Sequence, residues 1–142
     1  MVFSFGAKAD IIEDLIIAEA IVQKVPVQVA LAIAKTESSM KQFKIRYEEN
    51  VKDFSIGVFQ VRTATAREKC GVKTIKNLIK LRVNIRCGVT YIKYQMTRYK
   101  DIRHVILAYN SGSLRYYKGE YLNQGYLLRV YKYINENKGS NK

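Results

Sequence analysis

The segment Val27-Gln-Val-Ala-Leu-Ala-Ile-Ala34 constrains the fold more than any other part of the chain. All of its residues but Gln28 are apolar, so a helix built from it is hydrophobic nearly all round and must be surrounded by other elements. Pro26, just before it, has the fixed φ and missing N–H that suit a first helical turn. At 142 residues the chain is long enough to wrap one such helix in one core, but not to build two. One proline and eight glycines leave no linker-like stretch, and no internal repeat divides the chain. A single domain over residues 1–142 is expected.

Helical periodicity continues on both sides of that segment. Asp10, followed three residues later by Glu13, reads as a capping box, and Ile11, Leu15, Ala18 and Val22 then share one face. Thr63 suits the N-cap of a short helix ending near Gly71. Asn84 opens a longer helix with Ile85, Val89, Ile92 and Met96 toward the core and Arg86, Thr90, Lys93 and Thr97 opposite. Asp101 suits the cap of a helix carrying Ile102, Val105, Ile106 and Tyr109, and Leu127, Val130, Tyr131 and Ile134 outline the last one. Between Lys41 and Phe59 the periodicity lapses among β-formers such as Tyr47, Val51 and Phe54, which predicts a long loop or a small hairpin. A compact domain seldom keeps so long an irregular stretch unless it carries function. The expected class is mainly α, with at most a minor β-hairpin.

Lys and Arg total 25 against 12 Asp and Glu, a formal charge of +13. That excess points to a polyanionic partner: nucleic acid, anionic lipid or a bacterial wall polymer. The charge is scattered over Lys41 to Arg46, Arg62 to Lys69, Lys73 to Arg86 and Lys132 to Lys142, whereas a DNA-reading helix would concentrate it. No specific nucleic acid is therefore expected. No run of about 18 apolar residues spans a membrane. The opening MVFSFGAKADIIEDL lacks the basic start and long apolar run of a signal peptide. Cys70 and Cys87 are the only cysteines; they either pair in an oxidising compartment or stay as two buried thiols. With His104 as the one histidine, no metal-ligand cluster is visible and no cofactor is expected.

Glu37 is the residue whose chemistry stands out. Pro26, Ala30, Ile33 and Glu37 fall on one side of the central helix, so the carboxyl extends an apolar stripe. Desolvation disfavours the charged form and raises a carboxyl's pKa, as a general acid near neutral pH requires. The same spacing also fits a helix that has already ended, with Glu37 in water.

The order of segments decides between the two. Glu37-Ser38 is followed by Ser55-Ile-Gly57-Val58-Phe59-Gln60, then by Asn84-Ile85, Gly88 and Tyr91-Ile92, then by Ala108-Tyr109-Asn110, and finally by Tyr126. This series resembles the catalytic domain of soluble lytic transglycosylases, which shares its fold with goose-type lysozyme. That family carries an E-S pair, a G-L-M-Q-like motif, an N-I…G…Y-L helix, an A-Y-N motif and a late tyrosine. The similarity covers roughly residues 25 to 136.

The resemblance implies that Glu37, beside Ser38, is the single acid/base of a peptidoglycan-cleaving enzyme. It implies that Ser55, in its Ser-x-Gly57 turn, holds the sugar ring or its N-acetyl group. Val58 and Phe59 would then form an apolar substrate wall, and Gln60 would fix the loop or bond in the cleft. Tyr109 would lie near the glutamate, Asn110 toward substrate, and Tyr126 against Glu37 or substrate.

Most glycosidases use two carboxyls. Ser55 stands where a c-type lysozyme has its second one, and of the loop acids Glu48, Glu49 and Asp53, a shifted register could bring Asp53 into the cleft. With one acid, the implied mechanism is substrate-assisted and leaves a 1,6-anhydromuramic product, with hydrolysis by a lysozyme of the same fold, or a non-catalytic wall-binding module, as rivals. The implied partner is the glycan strand of peptidoglycan, met by a monomer at the bacterial wall, in the periplasm or outside the cell. A housekeeping enzyme, a secretion-apparatus enzyme and a phage lysin or virion piece all fit that pattern.

Overall fold

The computed structural model describes residues 7–140, with side chains up to residue 136. The first six residues of the stretch read against a signal peptide lie outside the described residues. Helix α1 spans Ala9–Gln23 and α2 spans Val27–Ser38. A small antiparallel sheet follows, with β1 Ile45–Glu48, β2 Asp53–Ile56 and β3 Val61–Arg62 in that spatial order. Next come α3 Thr63–Thr65, a π-helical turn Ala66–Cys70 and α4 Ile75–Leu78. The long helix α5 Leu81–Arg98, α6 Ile102–Ser111, a hairpin of β4 Tyr116–Tyr117 with β5 Glu120–Tyr121, and α7 Gln124–Ser140 complete the chain.

The class is mainly α, as the periodicity predicts. Helix α2 is the wrapped helix: Val29, Ala30, Ala32, Ile33 and Ala34 are all buried, against α7 on one side and α1 on another. Val29 and Ala30 donate their N–H groups to the Pro26 carbonyl, so the proline stands one residue outside the helix and closes its first turn. Among the described residues, no helix is long and apolar enough to cross a membrane.

Several local expectations need correction. Helix α1 begins at Ala9 without a side-chain cap, and Asp10 lies inside its first turn. Its buried line is Ile12, Ile16 and Ala20, rotated one residue from the expected face, while Ile11 and Val22 are 49% and 74% exposed. The cause is the run Ile11-Ile12 and Leu15-Ile16-Ile17, which offers apolar residues to either register. Thr63 does not cap α3. Its hydroxyl donates to Asp53, whose other oxygen takes the Ala64 N–H at 3.0 Å, so a strand residue does the capping.

Asn84 does not open α5, which starts three residues earlier; it is buried in the first turns and clamps three segments. Its amide donates to the Ile56 carbonyl at 2.8 Å and the Leu78 carbonyl at 3.0 Å, and its oxygen accepts the Phe59 N–H at 2.9 Å. The expected minor β element extends to a third strand. Cys70 and Cys87 are joined in a disulfide, which pins the π-helical turn to α5. His104 is half-buried against Tyr121, with its ring nitrogen 2.8 Å from the Tyr121 hydroxyl.

Candidate active site

One cleft of about 300 Å³ lies between the end of α2, the three-stranded sheet and the end of α6. Glu37, Ser55, Gln60, Tyr109 and Asn110 all line it, as do Glu48, Arg62 and Arg115.

Glu37 reaches the cleft because α2 ends one residue later. Ser39 and Met40 both adopt left-handed backbone, and the chain turns away, leaving the carboxyl at the end of the buried helix. Tyr126, buried near the start of α7, donates its hydroxyl to Glu37 Oε2 at 2.8 Å. Lys44 donates from Nζ to the Glu37 carbonyl at 2.7 Å. Burial pushes the carboxyl up to about 7, against the opposing pull of the Tyr126 hydrogen bond and the Lys44 charge. The nearby Glu48 charge adds to the rise. Glu37 is therefore largely protonated at mildly acid pH and able to both give and retake a proton near neutrality. Burial among apolar neighbours, with the Glu37 charge adjacent, also holds the Tyr109 and Tyr126 hydroxyls well above their ordinary range, so both act as neutral donors.

The wall opposite is held by polar side chains. Gly57 has φ +77°, and a Cβ there would sit 2.5 Å from Asn84 Nδ2, so this turn accepts only glycine. Gln60, at φ +48°, has left-handed backbone that a non-glycine residue seldom adopts. Its amide offsets that cost by donating to the Lys44 and Gly57 carbonyls at 3.0 and 2.9 Å. Gln60 thus fixes the loop. Tyr109 donates its hydroxyl to the Phe59 carbonyl at 2.7 Å, tying α6 to the same turn. Asn110 is exposed at the cleft and its oxygen accepts from Asn123 at 3.0 Å, while its N–H groups meet no acceptor among the described residues.

Not every residue of the motif series reaches the cleft. Val58 and Phe59 are fully buried core residues, with Phe59 packed so closely on α5 that a Cβ at Gly88 would lie 2.1 Å from its ring. They form no substrate wall, because the turn at Gly57 sends both side chains inward. Ser38 is also buried, donating back to the Ala34 carbonyl and accepting the Lys41 N–H at 3.3 Å, so its hydroxyl ties the last turn of α2 to the chain beyond it. Asp53 is absent from the cleft. Burial acts against its charge, yet hydrogen bonds from Thr63 and from the Ala64 and Phe54 amides hold its carboxyl below the usual range.

The loop acid that does line the cleft is Glu48, which the sequence reading named without favouring; Ser55 Oγ donates to its Oε1 at 3.3 Å. Arg62 and Arg115, which also line the cleft, and Asn123, which donates to Asn110 beside it, were missed as well, since only strand or loop geometry places them. Among the described residues, no group of three or more His, Cys, Asp or Glu side chains is arranged to hold a metal ion.

Comparison with known proteins gives two findings. Residues 14–127 match the family described as the transglycosylase SLT domain. In fold the chain is similar to the 70 kDa soluble lytic transglycosylase of Escherichia coli, with a TM-score of 0.61 and 24% identity. The match covers 70% of this chain and 16% of that enzyme, so the chain spans a small part of its length. No curated protein sequence matches.

Proposed function

The chain belongs to the transglycosylase SLT domain family, and from that premise we propose that it is a peptidoglycan lytic transglycosylase. It cleaves the β-1,4 bond between N-acetylmuramic acid and N-acetylglucosamine, with Glu37 as its one acid/base. The observation that carries this reading is the Glu37 carboxyl itself: set in the cleft, held by Tyr126 and pushed up to about 7.

Protonated Glu37 gives its proton to the glycosidic oxygen as the C1–O bond breaks. The acetamido oxygen of the muramic sugar bonds to C1 and carries the positive charge as an oxazolinium, in the manner of substrate-assisted glycosidases. The Glu37 carboxylate then takes the proton of the C6 hydroxyl. O6 bonds to C1, the acetamido C–O bond reopens, and a 1,6-anhydro sugar leaves with Glu37 protonated again. One carboxyl near pKa 7 serves both half-steps, since it is neither too weak to protonate the leaving group nor too strong to take the proton back.

Tyr126 keeps the acid aimed, and the unengaged N–H groups of Asn110 offer donors to the sugar. The positive surface suits a wall polymer whose stem peptides carry carboxylates. The site residues all fall between 37 and 126, and the chain is read as one catalytic domain, working as a monomer on glycan strands of the bacterial wall.

The test is mass spectrometry of purified peptidoglycan digested by the wild type beside Glu37→Gln. The expected result is anhydromuropeptides from the wild type and a loss of at least about 10³-fold in the variant. Reducing-end muropeptides would replace the reading with hydrolysis, and binding without cleavage would replace it with a wall-binding module.

A further inference from the structure

Glu48 belongs to none of the recognised motifs, yet it shares the cleft with Glu37. It is the last residue of β1, opposite Asp53 in the register, and its side chain is 28% exposed. Two groups approach its carboxylate. Arg46 Nε, on a mostly exposed side chain, lies at 3.7 Å and makes a surface ion pair of small worth. The Ser55 hydroxyl lies at 3.3 Å from the neighbouring strand.

The second contact has a direction. Ser55 Oγ is the donor and Glu48 Oε1 the acceptor, so the hydroxyl proton of Ser55 is directed at Glu48. Ser55 is 4% exposed, lines the cleft and has no other side-chain hydrogen bond among the described residues. What its oxygen presents to the cleft is therefore lone pairs alone. An acceptor-only group selects a donor, and an N-acetylated sugar carries one obligatory N–H donor, that of the 2-acetamido group. The remaining loop acids offer no substitute: Asp53 is occupied by Thr63 and Ala64, and Glu49 does not line the cleft.

We propose that Glu48 is a positioning residue. By holding the Ser55 proton, it makes Ser55 Oγ an acceptor for the acetamido N–H of the sugar being cleaved and turns the acetamido carbonyl oxygen toward C1. This rests on the transglycosylase reading, because only a reaction that uses the acetamido oxygen as internal nucleophile gains rate from that orientation.

Two measurements test it. The first is the affinity for chitohexaose, a neutral glycan bearing acetamido groups, of Glu37→Gln protein carrying Glu48→Ala, Glu48→Gln, Ser55→Ala or the Ala/Ala pair. Glu48→Ala and Ser55→Ala should each weaken binding about 5- to 10-fold, and the pair no further than Ser55→Ala alone, because they remove one shared interaction. Glu48→Gln, whose amide oxygen still accepts the Ser55 proton, should bind nearly as the parent does.

The second is kcat and KM on soluble glycan strands in the otherwise native protein, where Glu48→Ala should lower kcat about 10- to 100-fold. Unchanged melting temperatures would separate these losses from misfolding. Unaltered affinity in Glu48→Ala, or losses that multiply in the pair, would overturn the proposal. So would a Glu48→Gln protein as weak as Glu48→Ala, since Glu48 would then act by its charge. If the wild type fails to make anhydro product, the transglycosylase reading falls by itself, while the binding cycle still decides the Ser55–Glu48 pairing.

Discussion

The two walls of the cleft are built on different physics. The helical wall, with α2 wrapped by α1 and α7, is apolar packing almost throughout, and the acid Glu37 stands at the end of its buried core. The sheet wall, from β1 to the turn at Gln60, is short and twice reversed, and its shape is kept by hydrogen bonds that the Asn84, Gln60 and Tyr109 side chains donate and that Asp53 accepts. The difference is instructive. A carboxyl acquires a raised pKa from burial, which packing supplies, whereas donors and acceptors for a sugar need fixed directions, which hydrogen bonds supply. The joint between the walls is small: Asn84 and Gly88 on α5 grip the Gly57–Gln60 turn, and Tyr109 closes it from α6.

Breaking the joint should have the largest effect. Asn84→Ala leaves the Ile56 and Leu78 carbonyls and the Phe59 N–H without their partner, and urea unfolding should report a loss of about 3 kcal/mol. Hydrogen exchange should rise first in β2 and the Gly57–Gln60 turn, with α2 protected for longer.

Removing the disulfide by Cys70→Ser with Cys87→Ser should cost about 2–3 kcal/mol, from the loop entropy that the cross-link no longer removes. The π-helical turn should loosen while Glu37 keeps its titration, because the link touches neither wall directly.

Glu37→Gln sharpens the comparison from the other side. A carboxyl with a folded pKa near 7 and an unfolded one near 4.5 binds more protons when folded, so its stability contribution falls as pH rises from 4.5 through 7. The glutamine variant should therefore match the wild type at pH 4. At pH 8 it should be more stable by about 1–2 kcal/mol, a value discounted for the solvent that reaches the cleft. Equal melting temperatures at both values would show that burial does not act on this carboxyl.

Tyr126→Phe should have the smallest effect on stability, about 1 kcal/mol, but a specific one on titration. The tyrosine hydrogen bond favours the ionised acid, so its removal should move the Glu37 midpoint and the alkaline limb of activity to higher pH.

The two walls also differ in how far they can be read from the chain. Helix α2 and its buried faces follow from a run of apolar residues that no surface helix could carry, whereas the place of Glu37 at its end needed the order of the motifs as well. The same abundance misled in α1, where Ile11, Ile12, Leu15, Ile16 and Ile17 fit two registers and only the fit against α5 chooses between them. Along the sheet wall the signal runs out sooner. Asn84 carries the side chain of a helix cap, and its role as a buried clamp depends on three carbonyl and amide groups that lie 6 to 28 residues away in sequence. Of Glu48, Glu49 and Asp53, the linear reading favoured Asp53, and the cleft holds Glu48 instead. Which one meets the cleft is set by the pairing of Tyr47 with Phe54 and Arg46 with Ser55, and a slip of one residue would exchange them. The motif order singled out Ser55, Gln60, Tyr109 and Asn110, which line the cleft, and Tyr126, which bonds Glu37, but it did not show that Val58 and Phe59 turn inward.

Packing on the helical wall makes Glu37 an acid fit to work near neutral pH. A carbon-13 NMR titration of the glutamate carboxyls in the free protein, with Glu37→Gln to assign the signal, tests it most directly. The expected Glu37 midpoint is about 7. A midpoint near the ordinary value of about 4.3 would contradict it, because the carboxyl would then be ionised at the pH where it has to donate.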